Sequence, residues 1–187
     1  LPFDVQTTPV DILACGAQKW LLSPWGSGFV YVRRGLIEQL EPPMVGWTAF
    51  ADTDDFSTLL HYPTEWRADA RKFELITLPF QDFFGMNLAV ELLLELGIGA
   101  IQDHLARINQ PLLDWAARRG VSPASPTGPR GSGMVCFAPP TPAVTFSQLT
   151  EAGVVASLRE GLVRFSPHCY NTIDEMAQVA ELLDRAW

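Results

Sequence analysis

The sequence has 187 residues, of which 48% are hydrophobic and 18% charged, and its formal net charge at pH 7 is −8. An acidic chain is repelled by phosphate backbones and anionic lipids, so we expect neither nucleic acid nor a membrane surface as a partner. No apolar run reaches the roughly 18 residues that a membrane helix needs. The three cysteines are widely spaced, which favours reduced thiols in the cytoplasm over a disulfide framework. The three histidines show no metal-ligand spacing, so we expect no metal site.

The first part of the chain alternates apolar runs with turns. Residues 11–15 (DILAC) predict a buried parallel strand, and residues 28–32 (GFVYV) predict a second strand. A short helix is expected at residues 36–40. Residues 44–72 show no periodicity, and a loop of that length usually carries function or packs on a partner. Residues 73–78 predict another strand.

Two helices are predicted in the middle of the chain. From Asp82 onward, three leucines fall on one helical stripe: Leu88, Leu92 and Leu96. A second helix is expected from Gly99 to Arg119, with four apolar positions at helical spacing: Leu105, Ile108, Leu112 and Trp115. Gly120 suits the left-handed residue that often ends a helix.

The last part of the chain predicts a compact mixture of strands and helices. Strands are expected at residues 134–137, 154–158 and 162–166. Two capping boxes indicate helix starts, one with Thr145 and Gln148 and one with Thr172 and Glu175.

The chain therefore divides into two predicted domains, an α/β piece at residues 1–80 and a helix-plus-sheet piece at residues 81–187. The first piece is too short for a whole doubly wound domain, and we expect it to be the last strands of one.

Lys19 raises the functional question. From its position alone, it is most simply a lysine that buries its stem and keeps its ammonium in water. Its surroundings change that interpretation. Residues 10–13 (VDIL), 16–19 (GAQK) and 26–30 (GSGFV) resemble the pyridoxal-phosphate lysine signature of the class V aminotransferases. This fold-type-I family includes cysteine desulfurases and isopenicillin N epimerase-like proteins.

Further motifs occur in family order along the chain: Pro42-Pro43, Gly46-Trp47, Phe73-Glu74, Thr77, residues 163–168 (VRFSPH) and Tyr170-Asn171-Thr172. The resemblance covers essentially the whole chain as the C-terminal half of such an enzyme. It implies an α/β fold in which residues 1–80 end the large domain of a pyridoxal-phosphate transferase. Residues 81–187 would then be a small C-terminal α+β domain.

The resemblance implies that Lys19 forms a Schiff base with pyridoxal 5'-phosphate and then moves the Cα proton of the substrate. An amine condenses with an aldehyde in its neutral form, so a lysine in this role needs desolvation or a neighbouring cation. A strand end flanked by Trp20 and leucines is expected to supply the desolvation.

Four other residues are implied in the site. Gln18 stands where many relatives have histidine and would contact the cofactor, with a solvent-facing amide as the alternative. Thr77 would reach the phosphate of a partner subunit, which requires a homodimer; an ordinary strand threonine is the alternative. Arg164 would bind the substrate α-carboxylate, with a structural salt bridge as the alternative. Trp47 would pack on substrate or on a partner subunit, or simply within its loop.

The reaction remains open between two chemistries. The resemblance implies that a desulfurase carries its nucleophilic cysteine on a loop between the equivalents of Arg159 and Arg164. Here only four residues without a thiol join these arginines, and Cys136 and Cys169 are expected to be small buried residues, so a desulfurase is disfavoured. An aminotransferase acting on an amino acid is preferred, with an epimerase of the isopenicillin N epimerase type as the alternative. A second alternative is a catalytically incomplete fragment or interaction domain. We expect these 187 residues alone to bind pyridoxal phosphate weakly, because the resemblance places other cofactor contacts in the half that precedes them.

Overall fold

The computed structural model describes residues 2–61, 63–75, 77–128 and 131–187, without the side chains of residues 58 and 59. It forms two compact units, Phe3–Glu95 and Leu96–Trp187. The strands are β1 (Ile12–Gly16), β2 (Gly28–Val32), β3 (Val135–Phe137), β4 (Ser157–Arg159) and β5 (Leu162–Phe165). The α-helices are α1 (Arg34–Ile37), α2 (Phe80–Leu96), α3 (Ile98–Arg119), α4 (Pro142–Glu151) and α5 (Ile173–Ala186).

In the unit Phe3–Glu95, β1 and β2 form a two-stranded antiparallel sheet in which Ala14 pairs with Val30. The pairing found for β1 in the described residues is therefore antiparallel, and the predicted parallel pairing is not found there. The connection between the strands is too short for the crossover that parallel neighbours need. The predicted burial of β1 is also wrong within this chain, because its residues alternate between exposed and half-buried.

The long segment at residues 44–72 is irregular, as predicted, and contains three short 3-10 helices: Trp47–Ala49, Phe56–His61 and Ala70–Phe73. The buried Arg67 organises it. Its guanidinium donates two hydrogen bonds to the carboxylate of Asp54, at 3.0 and 2.9 Å, and others to the Thr53 hydroxyl and the Thr48 carbonyl. The hydrogen bonds from Arg67 lower the pKa of Asp54 below its ordinary value. The side chain of Arg67 thus links its own part of the loop to residue 48 and to residues 53–54.

The predicted strand at residues 73–78 is not found in the described residues; Ile76 lies outside them. Phe73 ends a 3-10 helix, and Glu74 and Leu75 are irregular. The backbone of Glu74 and Leu75 contacts the segment that contains Gly46 and Thr48. A Cβ atom on Gly46 would lie 2.5 Å from the Glu74 and Leu75 carbonyl oxygens, and the Thr48 hydroxyl donates to the Glu74 carbonyl at 3.1 Å. These long-range contacts replace strand pairing.

The unit Leu96–Trp187 packs three helices against a three-stranded antiparallel sheet with the order β3-β5-β4. As predicted, the apolar stripe of α3 is buried, and Trp115 makes T-shaped contacts with Phe137 and Trp187 at 5.2 and 5.0 Å. Gly120 ends α3 in the left-handed conformation, also as predicted.

One of the two predicted helix starts is confirmed. Thr172 and Glu175 form a full capping box at the start of α5. The other is wrong, because α4 begins at Pro142 with Thr141 as its N-cap, which leaves Thr145 inside the helix. There the fully buried Thr145 hydroxyl donates to the Ala186 carbonyl at 2.8 Å.

The boundary between the compact units lies after Glu95, so most of α2 belongs to the first unit, whereas the sequence places it after residue 80. Within the described residues, no single helix is long and apolar enough to cross a membrane; α2 and α3 meet the criterion only when counted together.

We predict that Arg67→Ala lowers the free energy of unfolding by about 1–3 kcal/mol, because it leaves the buried Thr53 hydroxyl and the carbonyl of the half-buried Thr48 without this donor. Urea unfolding measures this change. Arg67→Lys keeps the charge but lacks the planar fork, so it should recover part of the loss. Because the pKa of Asp54 is lowered in the folded state, the contribution of this pair is present above about pH 4 and lost as the pH falls further. Acidification should therefore destabilise Arg67→Ala less than wild type. Unchanged stability in Arg67→Ala would contradict this account.

Candidate active site

The lysine loop, residues 17–27, connects β1 to β2 and is closed around Ala17. Ala17 is fully buried, its backbone N–H donates to the Ser27 carbonyl at 3.0 Å, and its carbonyl accepts from the Ser23 N–H at 3.2 Å. Ser23 and Ser27 are themselves buried. Three buried residues therefore fix the base of the loop.

A tight turn carries Lys19 away from this base. The Leu22 N–H donates to the Lys19 carbonyl at 3.0 Å, and Leu22 adopts a left-handed conformation with φ 53°. Lys19 is exposed, so the expected desolvation by Trp20 and the leucines is not found within this chain. The buried positions of the loop are Ala17, Ser23 and Ser27, and Lys19 lies on the outer side of the turn.

The chain contains two lysines, and their environments are opposite. Lys72 is 2% exposed, its ammonium donates to the Ile37 carbonyl, and it lies 5.3 Å from the centre of the Phe73 ring. Lys19 is therefore the accessible lysine amine of the chain.

Gln18 is half-buried and folds back over the end of β1. A Cβ atom on Gly16 would lie 2.8 Å from the Gln18 Oε1 atom. The amide of Gln18 thus occupies the space that a side chain at position 16 would need. The neutral donor and acceptor of Gln18 therefore lie over Gly16, at the end of β1.

The lysine loop also packs on α2. A Cβ atom on Gly85 would lie 2.7 Å from Cγ of Pro24. Gly85 was not among the residues predicted from the sequence, although a glycine inside a helical pattern is a signal of close packing. Because Gly85 has no side chain, Pro24 of the lysine loop can pack directly against α2.

Trp47 and Thr77 lie in the same part of the first unit. Trp47 makes an edge contact with Phe56, with ring centres 5.2 Å apart, and is 36% exposed. Its neighbour Gly46 packs on the backbone of Glu74 and Leu75, two residues before the exposed Thr77. These contacts bring the two predicted segments together.

A cavity of about 1020 Å³ lies against one face of the β1–β2 sheet. Gly16 and Ser27 border it at the lysine loop, and Glu74 and Leu78 border it beside Thr77. The side chains predicted to bind cofactor or substrate in this unit are not among its lining residues.

Arg164 lies in the other unit, on the central strand β5, paired with Cys136 and Ser157. Val163 and Phe165 point into the core, so Arg164 lies on the opposite face of the sheet. Its Nε atom is buried without a hydrogen-bond partner, and no carboxylate of the described residues forms an ion pair with it. The alternative of a structural salt bridge therefore finds no partner in the described chain.

The sequence matches the profile of the aminotransferase class-V family over residues 1–179, so the chain belongs to this family. It is 31% identical over 176 residues to the uncharacterized aminotransferase YcbU of Bacillus subtilis, covering 94% of this chain and 45% of YcbU. It is 27% identical over 201 residues to the isopenicillin N epimerase of Streptomyces clavuligerus, covering 98% of this chain and 49% of that enzyme. The chain thus spans about half the length of these relatives.

Solved structures show the same fold. A cysteine desulfurase from Thermococcus onnurineus superposes with a TM-score of 0.82 at 20% identity, over 97% of this chain and 48% of that one. The cystine C–S lyase C-DES, solved with glycine covalently linked to its pyridoxal phosphate cofactor, superposes with a TM-score of 0.77 at 20% identity, over 98% of this chain and 48% of that one. The expected fold class and family resemblance are confirmed.

We predict that Gly85→Ala lowers the free energy of unfolding by about 1–3 kcal/mol, because the added methyl group collides with the rigid ring of Pro24. Gly99→Ala is the matched control, since no atom lies within 4 Å of its added Cβ. Alanine favours a helix over glycine, so Gly99→Ala should leave stability unchanged or raise it by up to about 1 kcal/mol. Urea unfolding of both variants provides the measurement, and equal effects would contradict the proposed packing.

Proposed function

We propose that this chain provides the lysine and the carboxylate-binding arginine of a pyridoxal-phosphate-dependent aminotransferase that acts on an amino acid. The observation that carries the proposal is the lysine loop. This loop lies within the residues that match the family profile, and hydrogen bonds at Ala17 fix the base from which Lys19 projects. The other lysine of the chain, Lys72, is buried.

The residues present fit the cofactor at two points. Lys19 is accessible to an aldehyde, and the preceding residue, Gln18, carries an uncharged hydrogen-bond donor that lies over Gly16. When bound, pyridoxal phosphate supplies an electron sink that weakens the Cα–H bond of an attached amino acid. Lys19 would hold the cofactor, with Gln18 in contact with it.

The second task of Lys19 is proton transfer. With its Nζ atom released from the cofactor, Lys19 would accept the Cα proton of the substrate and would hold it for the return transfer. A base works in this way when it is neutral and shielded from water. Because Lys19 is exposed in this chain, groups other than its described neighbours would have to supply the shielding.

Arg164 would orient the substrate. A guanidinium binds a carboxylate with two parallel hydrogen bonds, and its buried, unpaired Nε atom is a donor in need of an acceptor. The α-carboxylate of an amino acid supplies such an acceptor. This contact would fix the substrate by the group that all amino acids share, leaving side-chain selection to other residues.

The β4–β5 hairpin supports transamination over cysteine desulfuration. Two residues, Glu160 and Gly161, connect the strands, both with positive φ. A turn this tight has no segment long enough to carry a mobile thiol. Cys136 and Cys169, expected to be buried, are half-buried.

Three further assignments belong to the proposal. Thr77, exposed in this chain, would reach the phosphate bound by a partner subunit, which makes a homodimer the expected assembly. Trp47 would contact substrate through the part of its ring that Phe56 leaves open. A cytoplasmic location is the expected compartment.

Epimerisation is the second candidate function, favoured by the match to isopenicillin N epimerase over nearly the whole chain. The two functions differ in outcome. A transaminase converts the amino acid to a 2-oxo acid and retains the amine, whereas an epimerase returns the proton to Cα and releases the inverted amino acid. Product analysis after incubation with L-amino acids separates them.

We predict that pyridoxal phosphate becomes attached to Lys19 in a fused protein in which the part of YcbU that this chain does not match is joined to this chain. Borohydride reduction followed by peptide mass spectrometry locates the attachment. Lys72 is the internal control and should remain unmodified at equimolar cofactor because it is buried. Lys19→Ala should abolish the label and the associated visible absorbance. Equal labelling of both lysines, or retention of the absorbance in Lys19→Ala, would contradict the assignment.

We predict that Arg164→Lys in the same fused protein weakens saturation by the amino acid about 10- to 100-fold, because lysine cannot make the paired contact. The concentration dependence of the single-turnover absorbance change measures this effect. Arg159→Lys is the matched control, since Arg159 is exposed at the end of β4. A comparable loss in both variants would refute the role of Arg164.

A further inference from the structure

The outer face of the β3-β5-β4 sheet carries an arginine between two small side chains. Arg164 pairs with Cys136 of β3 on one side and with Ser157 of β4 on the other. Directly opposed residues of neighbouring strands point to the same face of a sheet. The neighbours of Cys136 and of Arg164 along their own strands are buried in the core, so both side chains lie on the opposite face. The three side chains therefore form one row across the sheet.

The guanidinium of Arg164 has no partner in this row. Arg164 is half-buried, its Nε atom is buried without an acceptor, and it forms no ion pair within the described residues. The three strands contain one further arginine, Arg159, and no aspartate or glutamate. This face of the sheet is therefore cationic, and its own strands supply no carboxylate to neutralise it.

Cys136 approaches Arg164 more closely than Ser157 does. The Cys136 N–H donates to the Ser125 hydroxyl at 3.0 Å, and the Cys136 carbonyl accepts from the Ala124 N–H at 2.8 Å. Both backbone groups of Cys136 thus point away from β5. The pair that it forms with Arg164 is therefore of the non-hydrogen-bonded kind, in which the Cα atoms are about 4.5 Å apart and the side chains are closest.

The thiol of Cys136 is free and half-buried. In the part of the chain that the structure describes, its sulfur atom takes part in no hydrogen bond, whereas the sulfur of Cys169 lies 3.1 Å from the His168 Nδ1 atom. A nucleophile and a cation that binds carboxylates are thus neighbours on one sheet face.

We propose that Cys136 is a modification site for carboxylic acids that carry an electrophilic carbon beside the carboxylate, such as 2-halo acids. Arg164 holds the carboxylate and thereby brings the electrophilic carbon to the sulfur. The thiol proton goes to solvent, the sulfur displaces the halide, and an S–C bond replaces the C–halogen bond. The step needs no oxidant and no cofactor. It rests on the carboxylate-binding role proposed for Arg164.

Modification of Cys136 also occupies the arginine. The product keeps its carboxylate and ties it to the strand position opposite Arg164. A tethered acceptor has a high effective concentration, so it competes with the α-carboxylate of a free amino acid. The state of one thiol would thus control access to the proposed amino-acid site.

The test uses the whole chain without cofactor and compares iodoacetate with the uncharged iodoacetamide. Peptide mass spectrometry measures the alkylation rate of each cysteine. The ratio of the iodoacetate rate to the iodoacetamide rate removes differences in exposure and intrinsic reactivity. At Cys136 this ratio should exceed the ratios at Cys15 and Cys169 by about tenfold, because Arg164 retains only the charged reagent. All three cysteines are half-buried, so the other two are internal controls.

Arg164→Gln should lower the ratio at Cys136 to that of the other two cysteines. Arg185→Gln is the matched control and should keep the wild-type ratio, because Arg185 is an exposed arginine of the same unit on α5. Acetate should lower the ratio at Cys136 in wild type, whereas acetamide at equal ionic strength should not. This competition tests the site without any substitution.

Equal ratios at the three cysteines of wild type would overturn the proposal, and so would a ratio that acetate leaves unchanged. The outcome is separable from that of the proposed function. Selective modification of Cys136, without labelling of Lys19 in the fused protein, would retain the modification site and reject the aminotransferase. Weakened saturation in Arg164→Lys, together with equal ratios at the three cysteines, would retain the aminotransferase and reject the modification site.

Discussion

The arrangement of the candidate site depends on the hydrogen bonds that close the lysine loop on Ala17. A fully buried alanine accepts and donates backbone bonds at the base of the loop, so the turn that follows has little freedom. Lys19 is held two residues beyond that base. Gly16 and Gly85 provide the space that the Gln18 amide and Pro24 occupy. The lysine is therefore fixed by its backbone and not by contacts of its own side chain.

Lys19 and Arg164, the two residues central to the proposed function, lie in different units. The first presents an amine on a constrained loop, and the second presents a guanidinium on the central strand of a sheet. Arg164 is flanked by Val163 and Phe165, whose burial fixes the register of the strand. Such a strand holds its arginine more firmly than a loop would. Each unit thus positions one of these two groups through its own packing.

Local signals in the sequence predicted much of the fold. The stripe of α3, its end at Gly120 and the capping box of Thr172 and Glu175 depend on residues within a few positions of one another. The failures involve distant contacts. The strand expected at residues 73–78 is replaced because Gly46 packs on that backbone, and strand direction in β1 depended on its partner. The motif was enough to single out Lys19, but it did not predict that Lys19 is exposed. Exposure depends on which distant segments cover a side chain, and a local motif does not contain that information.

The turn between β4 and β5 has a consequence for how this fold diversifies. Residues with positive φ close the hairpin at Glu160 and Gly161, at the far end of the strand from Arg164. Lengthening a surface connection costs little free energy, since closure entropy grows slowly with length. A longer insertion at this point could bring new reactive groups while the arginine strand stayed in register. The length of this turn and the register of β5 can therefore change independently of each other.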